Sequence, residues 1–322
     1  MKISTTIVLA AAAASSSAAA VDMHKRIIGG SDASYKFSAN IVKVTASGVG
    51  VCSAAFLSDQ VLVTTASCVS DTSSDSAYAA SALYVGQGSA SDALATAGAK
   101  GANVSKLTGY VNPAQVLTHP GFNSRAYADN IALVMLGAPY KNATAVKVQK
   151  KLPGKGAYLT AAGYGAVDGG ATALQKAQVV VGENATCSQA FASYKDSSNL
   201  VCVGPVKNKG GACNGDGLLL QEDSSNVALI GVLDLFASTD SQDNAQCNDK
   251  NVYNFYTAVE NYMAWITQKT PLKESALLST ATISTSGSGS ASDSEDSKEQ
   301  SSKGGASSKD EEGATSGLDS SS

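Results

Sequence analysis

Residues 52–68 read CSAAFLSDQVLVTTASC. Two short apolar runs, Ala54–Leu57 and Val61–Val63, flank a polar Ser58-Asp59-Gln60, and a cysteine stands at each end. Runs of this kind recur along the chain: NIVKVTA (40–46), NIALVML (130–136), QVVVG (178–182) and NVALIGVL (226–233). Gly, Ser, Asn and Asp divide them. Short apolar runs bounded by turn formers read as strands, and so many in succession predict an all-β barrel or sandwich. One segment departs from this pattern. In YTAVENYMAWITQ (256–268), Tyr256, Val259, Met263 and Ile266 stand at helical spacing, which predicts one amphipathic helix.

The chain has 322 residues, 43% hydrophobic and 16% charged, with a net charge of −4. A substantial core is affordable, and no basic stripe points to nucleic acid. The N-terminus, MKISTTIVLAAAAASSSAAA, has Lys2, a short apolar run and then small residues. This is the pattern of a cleaved signal peptide over 1–20, so a secreted protein is expected. No later segment reads as a membrane span. VDMHKR (21–26) follows, and its basic pair before Ile27 reads as a short propeptide ending in a processing site. From Pro271 the composition turns to Ser, Gly, Ala and charge with no aromatic residue. Such a segment cannot bury enough apolar surface to offset its ordering entropy, so 271–322 is expected to be a disordered tail.

Six cysteines, Cys52, Cys68, Cys187, Cys202, Cys213 and Cys247, favour three disulfides in a secreted chain, with fifteen possible connectivities. There is no Cys-x-x-Cys, and the only histidines are His24 and His119, so neither metal nor cofactor is expected. Asn103, Asn142 and Asn184 each open an Asn-x-Ser/Thr glycosylation pattern.

Taken in order, these segments resemble the trypsin-like (chymotrypsin-fold) serine proteases over nearly all of 27–269. RIIGG (26–30) resembles that family's activation site, and 52–68 its first disulfide loop. NIALVML resembles the strand after the catalytic aspartate, and AAGYG (161–165) the family's Ala-Gly-Trp-Gly. CNGDG (213–217) is similar to the nucleophile loop, and 251–266 to the closing strand and C-terminal helix. The resemblance implies two six-stranded antiparallel Greek-key barrels, over about 27–145 and 146–255, with a helix at 256–268 in a domain spanning 27–270. It also implies the pairs Cys52–Cys68, Cys187–Cys202 and Cys213–Cys247.

The same resemblance exposes departures. Triad chemistry needs an attacking hydroxyl, an imidazole to take its proton and a carboxylate to orient the imidazole. The imidazole seat holds Ser67, the carboxylate seat Asn130 and the nucleophile seat Gly217. A register one residue earlier would offer Asp129 instead, though strand alternation would point it to the other face. His119, in THPGFN, reads as a plain exposed loop residue. Asp234, Leu235 and Phe236 replace the Ser-Trp-Gly that borders the family's specificity pocket, whose floor would be Gly211. Asp216 is retained, which implies a structural pairing with the amine of Ile27 after cleavage at Arg26.

The expectation is therefore a secreted pseudoenzyme that works as a monomeric binding protein. The chain looks most like the glucanase inhibitor proteins of oomycete plant pathogens. That likeness implies an effector in the host apoplast whose partner is a plant endo-β-1,3-glucanase. The alternatives are an active secreted serine endopeptidase and a surface adhesin that uses the tail as a spacer. The loop 69–78 and the segment 234–246 are the expected rims of an interface.

Overall fold

A computed structural model describes residues 30–45, 48–91, 93, 107–164, 173–195, 199–206, 217–240 and 251–280. The expected signal peptide and propeptide, Arg26, Ile27, Asn103, Gly211, Cys213, Asp216, Cys247 and the chain beyond Thr280 lie outside the described residues.

The first half is a six-stranded antiparallel sheet that forms a half-barrel. Its strands are β1 (Ser38–Thr45), β2 (Gly48–Phe56), β3 (Val61–Thr64), β4 (Leu83–Gly86), β5 (Gln115–Thr118) and β6 (Ala132–Met135). They run in the order β4-β1-β2-β3-β6-β5. Ser58 makes the β2–β3 turn, its hydroxyl accepting from the amides of Gln60 and Val61 at 3.2 and 3.1 Å. Alternation then sorts side chains to two faces. Ile41, Cys52, Ala54, Phe56, Leu62 and Val134 share one buried cluster. Val42, Val51, Ala55, Val63 and Leu133 fall in another, which also takes Ala162, Leu218, Leu220 and Leu229 from the second half. Both faces of this sheet are buried, so its strands read as near-continuous apolar runs.

The second half contains β7 (Lys147–Gln149), β8 (Tyr158–Gly163), β9 (Gln175–Val181), β10 (Leu200–Pro205), β11 (Leu218–Glu222), β12 (Val227–Ser238) and β13 (Val252–Ala258). Six of them close a ring, β11-β8-β9-β10-β13-β12 and back to β11. Its interior holds Leu159, Val179, Val203, Leu219, Ile230, Leu233 and Tyr256. Leu219 points inward while Leu218 and Leu220 reach the cluster shared with the first half, so one Leu-Leu-Leu run serves two cores. The fold is thus the expected mostly-β, chymotrypsin-like arrangement with a short C-terminal helix.

Cys52–Cys68 and Cys187–Cys202 are bonded. Cys68 lies on a one-turn helix α1 (Ala66–Val69), capped by the Thr65 hydroxyl on the Cys68 amide at 3.2 Å. Cys187 lies on α2 (Asn184–Ala190).

Two boundaries need correction. The helix does not begin at Tyr256, which is a strand residue paired with Val201 and Leu233. Phe255, Tyr256 and Thr257 favour a pleated strand, and Tyr256 fills the ring interior. A 3-10 turn over Val259–Tyr262 follows, then helix α3 (Met263–Lys269), which buries Met263, Trp265 and Ile266. Nor does structure stop at Pro271. A one-turn helix α4 (Glu274–Leu277) and a strand β14 (Leu278–Ser279) lie inside the expected tail. Leu272, Leu277 and Leu278 supply the apolar contacts that hold them.

Candidate functional site

Ser67 sits in α1, just before the disulfide-bonded Cys68, and Asn130 sits two residues ahead of β6. The fold brings them together. The Ser67 amide donates to Asn130 Oδ1 at 2.8 Å, and Asn130 Nδ2 donates to Ser67 Oγ at 3.1 Å. The same Nδ2 donates to Asp234 Oδ1 at 2.7 Å. Asn130 is 3% exposed. An amide group carries both donors and an acceptor, so one side chain serves three partners. A carboxylate at 130 would set two anionic groups in contact, which disfavours ionisation of both. Asn130 and Asp234 are in this sense a matched pair.

Asp234 reaches Asn130 because β12 is irregular there. The register with β13 shifts between Leu233 and Leu235, and such a bulge re-aims a side chain. Leu235 packs beside the Cys187–Cys202 cluster, so for this residue core packing is the structural role. Phe236 is half-buried and pairs with Asn254.

Asp129 goes elsewhere. Its backbone is left-handed at φ 48°, and its carboxylate accepts from the Tyr262 hydroxyl at 2.6 Å. Burial pushes the Tyr262 phenol up, and the Asp129 hydrogen bond adds to this. His119 belongs to that joint and is no exposed loop residue. Its side chain is 20% exposed, with Nδ1 3.6 Å from Asp129 Oδ2. Its ring meets Tyr262 and Trp265 edge-on, each at 5.1 Å. Two apolar neighbours from the C-terminal turns explain the burial, which the local THPGFN pattern did not reveal. A Cβ at Gly121 beside it would press on the Asp129 carboxylate. His119 is the one histidine among the described residues, and its contacts there are with this joint.

Gly217 precedes β11. Its carbonyl accepts from the Leu233 amide at 2.8 Å, and a Cβ at this position would stand 3.2 Å from the Ala162 carbonyl oxygen. That is tight against β8. The Tyr256 hydroxyl lies 4.0 Å from the same point, is fully buried and has no hydrogen-bond partner among the described residues.

A second polar cluster escaped the sequence reading because its members are far apart in the chain. Glu222 accepts from the Tyr35 hydroxyl at 2.6 Å, from Thr160 Oγ1 at 2.9 Å and from the Lys176 ammonium at 2.9 Å. Burial pushes the Glu222 carboxyl up, but these bonds and the lysine charge outweigh it and hold the group below its usual range. A cleft of about 250 Å³ lies nearby, lined by Tyr35, Ser38, Gln87, Tyr164 and Leu174 among others, and includes none of the three seats.

The expected rim 69–78 is a small hairpin, pairing Ser70 with Ala77 and Asp71 with Ser76. Asp75 accepts from the Ser124 amide at 3.3 Å, which joins the hairpin to the 123–128 turn. That turn carries Tyr127, 46% exposed, its ring edge-on to Phe191 at 5.6 Å. The other expected rim is described only as far as Asp240. Asn142, with φ 67°, and Asn184, at the start of α2, are both exposed.

Comparison with known proteins agrees with this geometry. The family model described as Trypsin matches residues 27–266. This chain belongs to the trypsin family. Among similar proteins, pig trypsin is 25% identical over 52% of this chain and 71% of its own length. Rat granzyme B is 23% identical over 50% of this chain and 63% of its own. Mouse transmembrane protease serine 11C is 27% identical over 49% of this chain and 37% of its own. The trypsin-family chain thus spans well under the full length of two of these three relatives. Among its described residues, no helix is long and apolar enough to cross a membrane, and no group of His, Cys, Asp or Glu is arranged to hold a metal ion.

Proposed function

We propose that this trypsin-family chain is a secreted, non-catalytic protein that acts by binding another protein. The observation that carries the reading is the Ser67–Asn130–Asp234 hydrogen-bond chain. A serine hydroxyl is no base near pH 7, and an amide neither orients nor stabilises an imidazolium as a carboxylate does. With glycine in the nucleophile seat, the loss relative to a working triad is on the order of 10⁶ in kcat. Disulfides and trypsin-family kinship favour an extracellular setting, in line with the signal-like N-terminus. The exposed Asn142 and Asn184 are the glycosylation sites this setting would use.

The partner named by the sequence resemblance is a plant endo-β-1,3-glucanase, inhibited in the host apoplast. The rim formed by the 70–77 hairpin and Tyr127 is the face offered for contact, since a rigid β scaffold presents its binding groups on loops. The test mixes the purified secreted chain with a panel of plant endo-β-1,3-glucanases. Co-precipitation and glucan hydrolysis are followed against dose. Stoichiometric binding with loss of hydrolysis supports the inhibitor. Absence of both across the panel removes the glucanase assignment. Family kinship with working proteases favours a second reading, a secreted endopeptidase. Covalent labelling by a fluorophosphonate probe would establish that reading and end the non-catalytic one.

A further inference from the structure

A cleft of about 250 Å³ lies where strand ends from both halves of the molecule meet. One wall is the segment 33–38 that leads into β1. The others are residues 87–89 after β4, Tyr164 after β8, and Ala173-Leu174 before β9. Drug-sized ligands occupy roughly 300–1,000 Å³, so this cleft has room for about one ring.

Its walls are fixed in advance. The Tyr35 ring stacks on Phe37 with centroids 4.9 Å apart, the Lys176 ammonium stands 5.5 Å from its centroid, and its hydroxyl donates to Glu222 at 2.6 Å. Ser38, 2% exposed, donates from its amide and its hydroxyl to the Tyr35 carbonyl, at 3.0 and 2.8 Å. The Ala33 amide donates to the Leu174 carbonyl at 2.9 Å and ties two walls together. Gln87 Nε2 donates to the carbonyls of Lys36 and Ser38, at 2.7 and 3.1 Å. Two carbonyls demand the NH₂ end of the amide, which fixes the orientation of Gln87. Its Oε1 is left as an acceptor with no partner among the described residues.

These bonds use up donors. The amides of Ala33 and Ser38, the Ser38 hydroxyl and the Gln87 NH₂ all face protein carbonyls. A ligand finds the Gln87 acceptor, the exposed Ser34 hydroxyl and the exposed Lys36 ammonium, beside apolar Ala33, Ala173 and Leu174. Lys36 is the one cation of the lining, and the lining holds no carboxylate. A cationic ligand has no counter-charge there. An anion would meet a single exposed ammonium, where strong anion recognition uses several convergent donors. A neutral molecule with hydroxyls suits both the acceptor and the donors, because each hydroxyl plays either part. If it also has a C–H face, it covers the apolar wall. A sugar ring has these properties.

We propose that this cleft binds one pyranose unit of a neutral glycan, with one sugar hydroxyl donating to Gln87 Oε1 and another accepting from Lys36. Ser34, Lys36, Gly88 and Ala173 are exposed at the rim, so neighbouring sugar units extend into solvent. Glycan binding here is independent of the glucanase reading, and failure of either leaves the other standing.

The test titrates the isotope-labelled secreted chain with neutral hexasaccharides of β-1,3-linked glucose, β-1,4-linked glucose and β-1,4-linked N-acetylglucosamine. A high-mannose glycopeptide forms a separate arm, and an oligogalacturonate is the acidic control. Backbone amide shifts are read by residue. At least one neutral probe should bind with a Kd of about 0.1–1 mM and shift amides in 33–38, 87–89 and 173–174. The arm that binds tighter identifies the source as a free or a protein-linked glycan. Lys36→Ala should weaken binding about three- to tenfold, the size of one net hydrogen bond. Ala173→Trp fills the cleft from an exposed position and should abolish binding. Absence of binding by every neutral probe at about 10 mM overturns the proposal. So do shifts confined to other residues, tighter binding of the oligogalacturonate, or binding that both variants leave unchanged. If Ala173→Trp does not fold, the shift map and Lys36→Ala decide in the same way.

Discussion

Two polar clusters link distant parts of this molecule, and they solve the same problem in opposite ways. The Asn130 cluster joins α1, the approach to β6 and β12 with a neutral amide between a serine and a single carboxylate. The Glu222 cluster joins the N-terminal segment, β8, β9 and β11 with a carboxylate held by a phenol, a hydroxyl and an ammonium. The first carries one formal charge and depends on donor geometry. The second depends on ionisation. The first includes two of the seats that the sequence resemblance implies, and its amide braces α1 against β12. Substitution should therefore break the first, and acid the second.

The largest effect is expected from Asn130→Ala. It removes the hydrogen bonds that Asn130 makes to the Ser67 amide and to the Asp234 carboxylate, at a cost of about 3 kcal/mol, read as a lower urea midpoint. Asn130→Asp sharpens the contrast. It forces two carboxylates together and should cost about 2 kcal/mol at neutral pH, by the repulsion that raises a paired carboxyl. Protonation relieves that repulsion, so the deficit in Tm should shrink as pH falls. A pH-independent deficit would count against the matched-pair reading.

Glu222→Gln is expected to cost about 1–2 kcal/mol at neutral pH. The Glu222 carboxyl is held below its usual range. Its contribution is thus complete above the unfolded value, about 4.3, and is lost as pH falls through the folded one. The variant should unfold less steeply in acid than the parent. The smallest effect is expected from Gly217→Ser, about 1 kcal/mol, from the approach to the Ala162 carbonyl. This variant should also take no fluorophosphonate label, because His119, the one histidine among the described residues, is engaged with Asp129, Tyr262 and Trp265.

Much of the architecture was legible in advance. Val61-Leu62-Val63 and Ile131–Leu136 alternate between two buried faces, and a continuous apolar run is what such a strand requires. Of the three seats that the resemblance implies, Ser67 and Asn130 are hydrogen-bonded to each other. Tyr256 was misassigned because aromatic residues at helical spacing also suit a strand, and only its place inside the ring separates the two. Pro271 looked like the start of disorder because three leucines in a polar stretch carry little weight until a receiving surface is known.

By itself, the sequence determined the strand pattern and the scarcity of histidine, since local periodicity and residue chemistry follow directly from the order of side chains. The tertiary structure alone decided where the polar groups went. Adjacent residues Asp129 and Asn130 serve different clusters because a left-handed backbone at 129 separates their side chains. Asp234 reaches Asn130 across 104 positions because a bulge in β12 turns it there. Partners so far apart leave no local signal, because the free energy that joins them exists only once both sheets have formed.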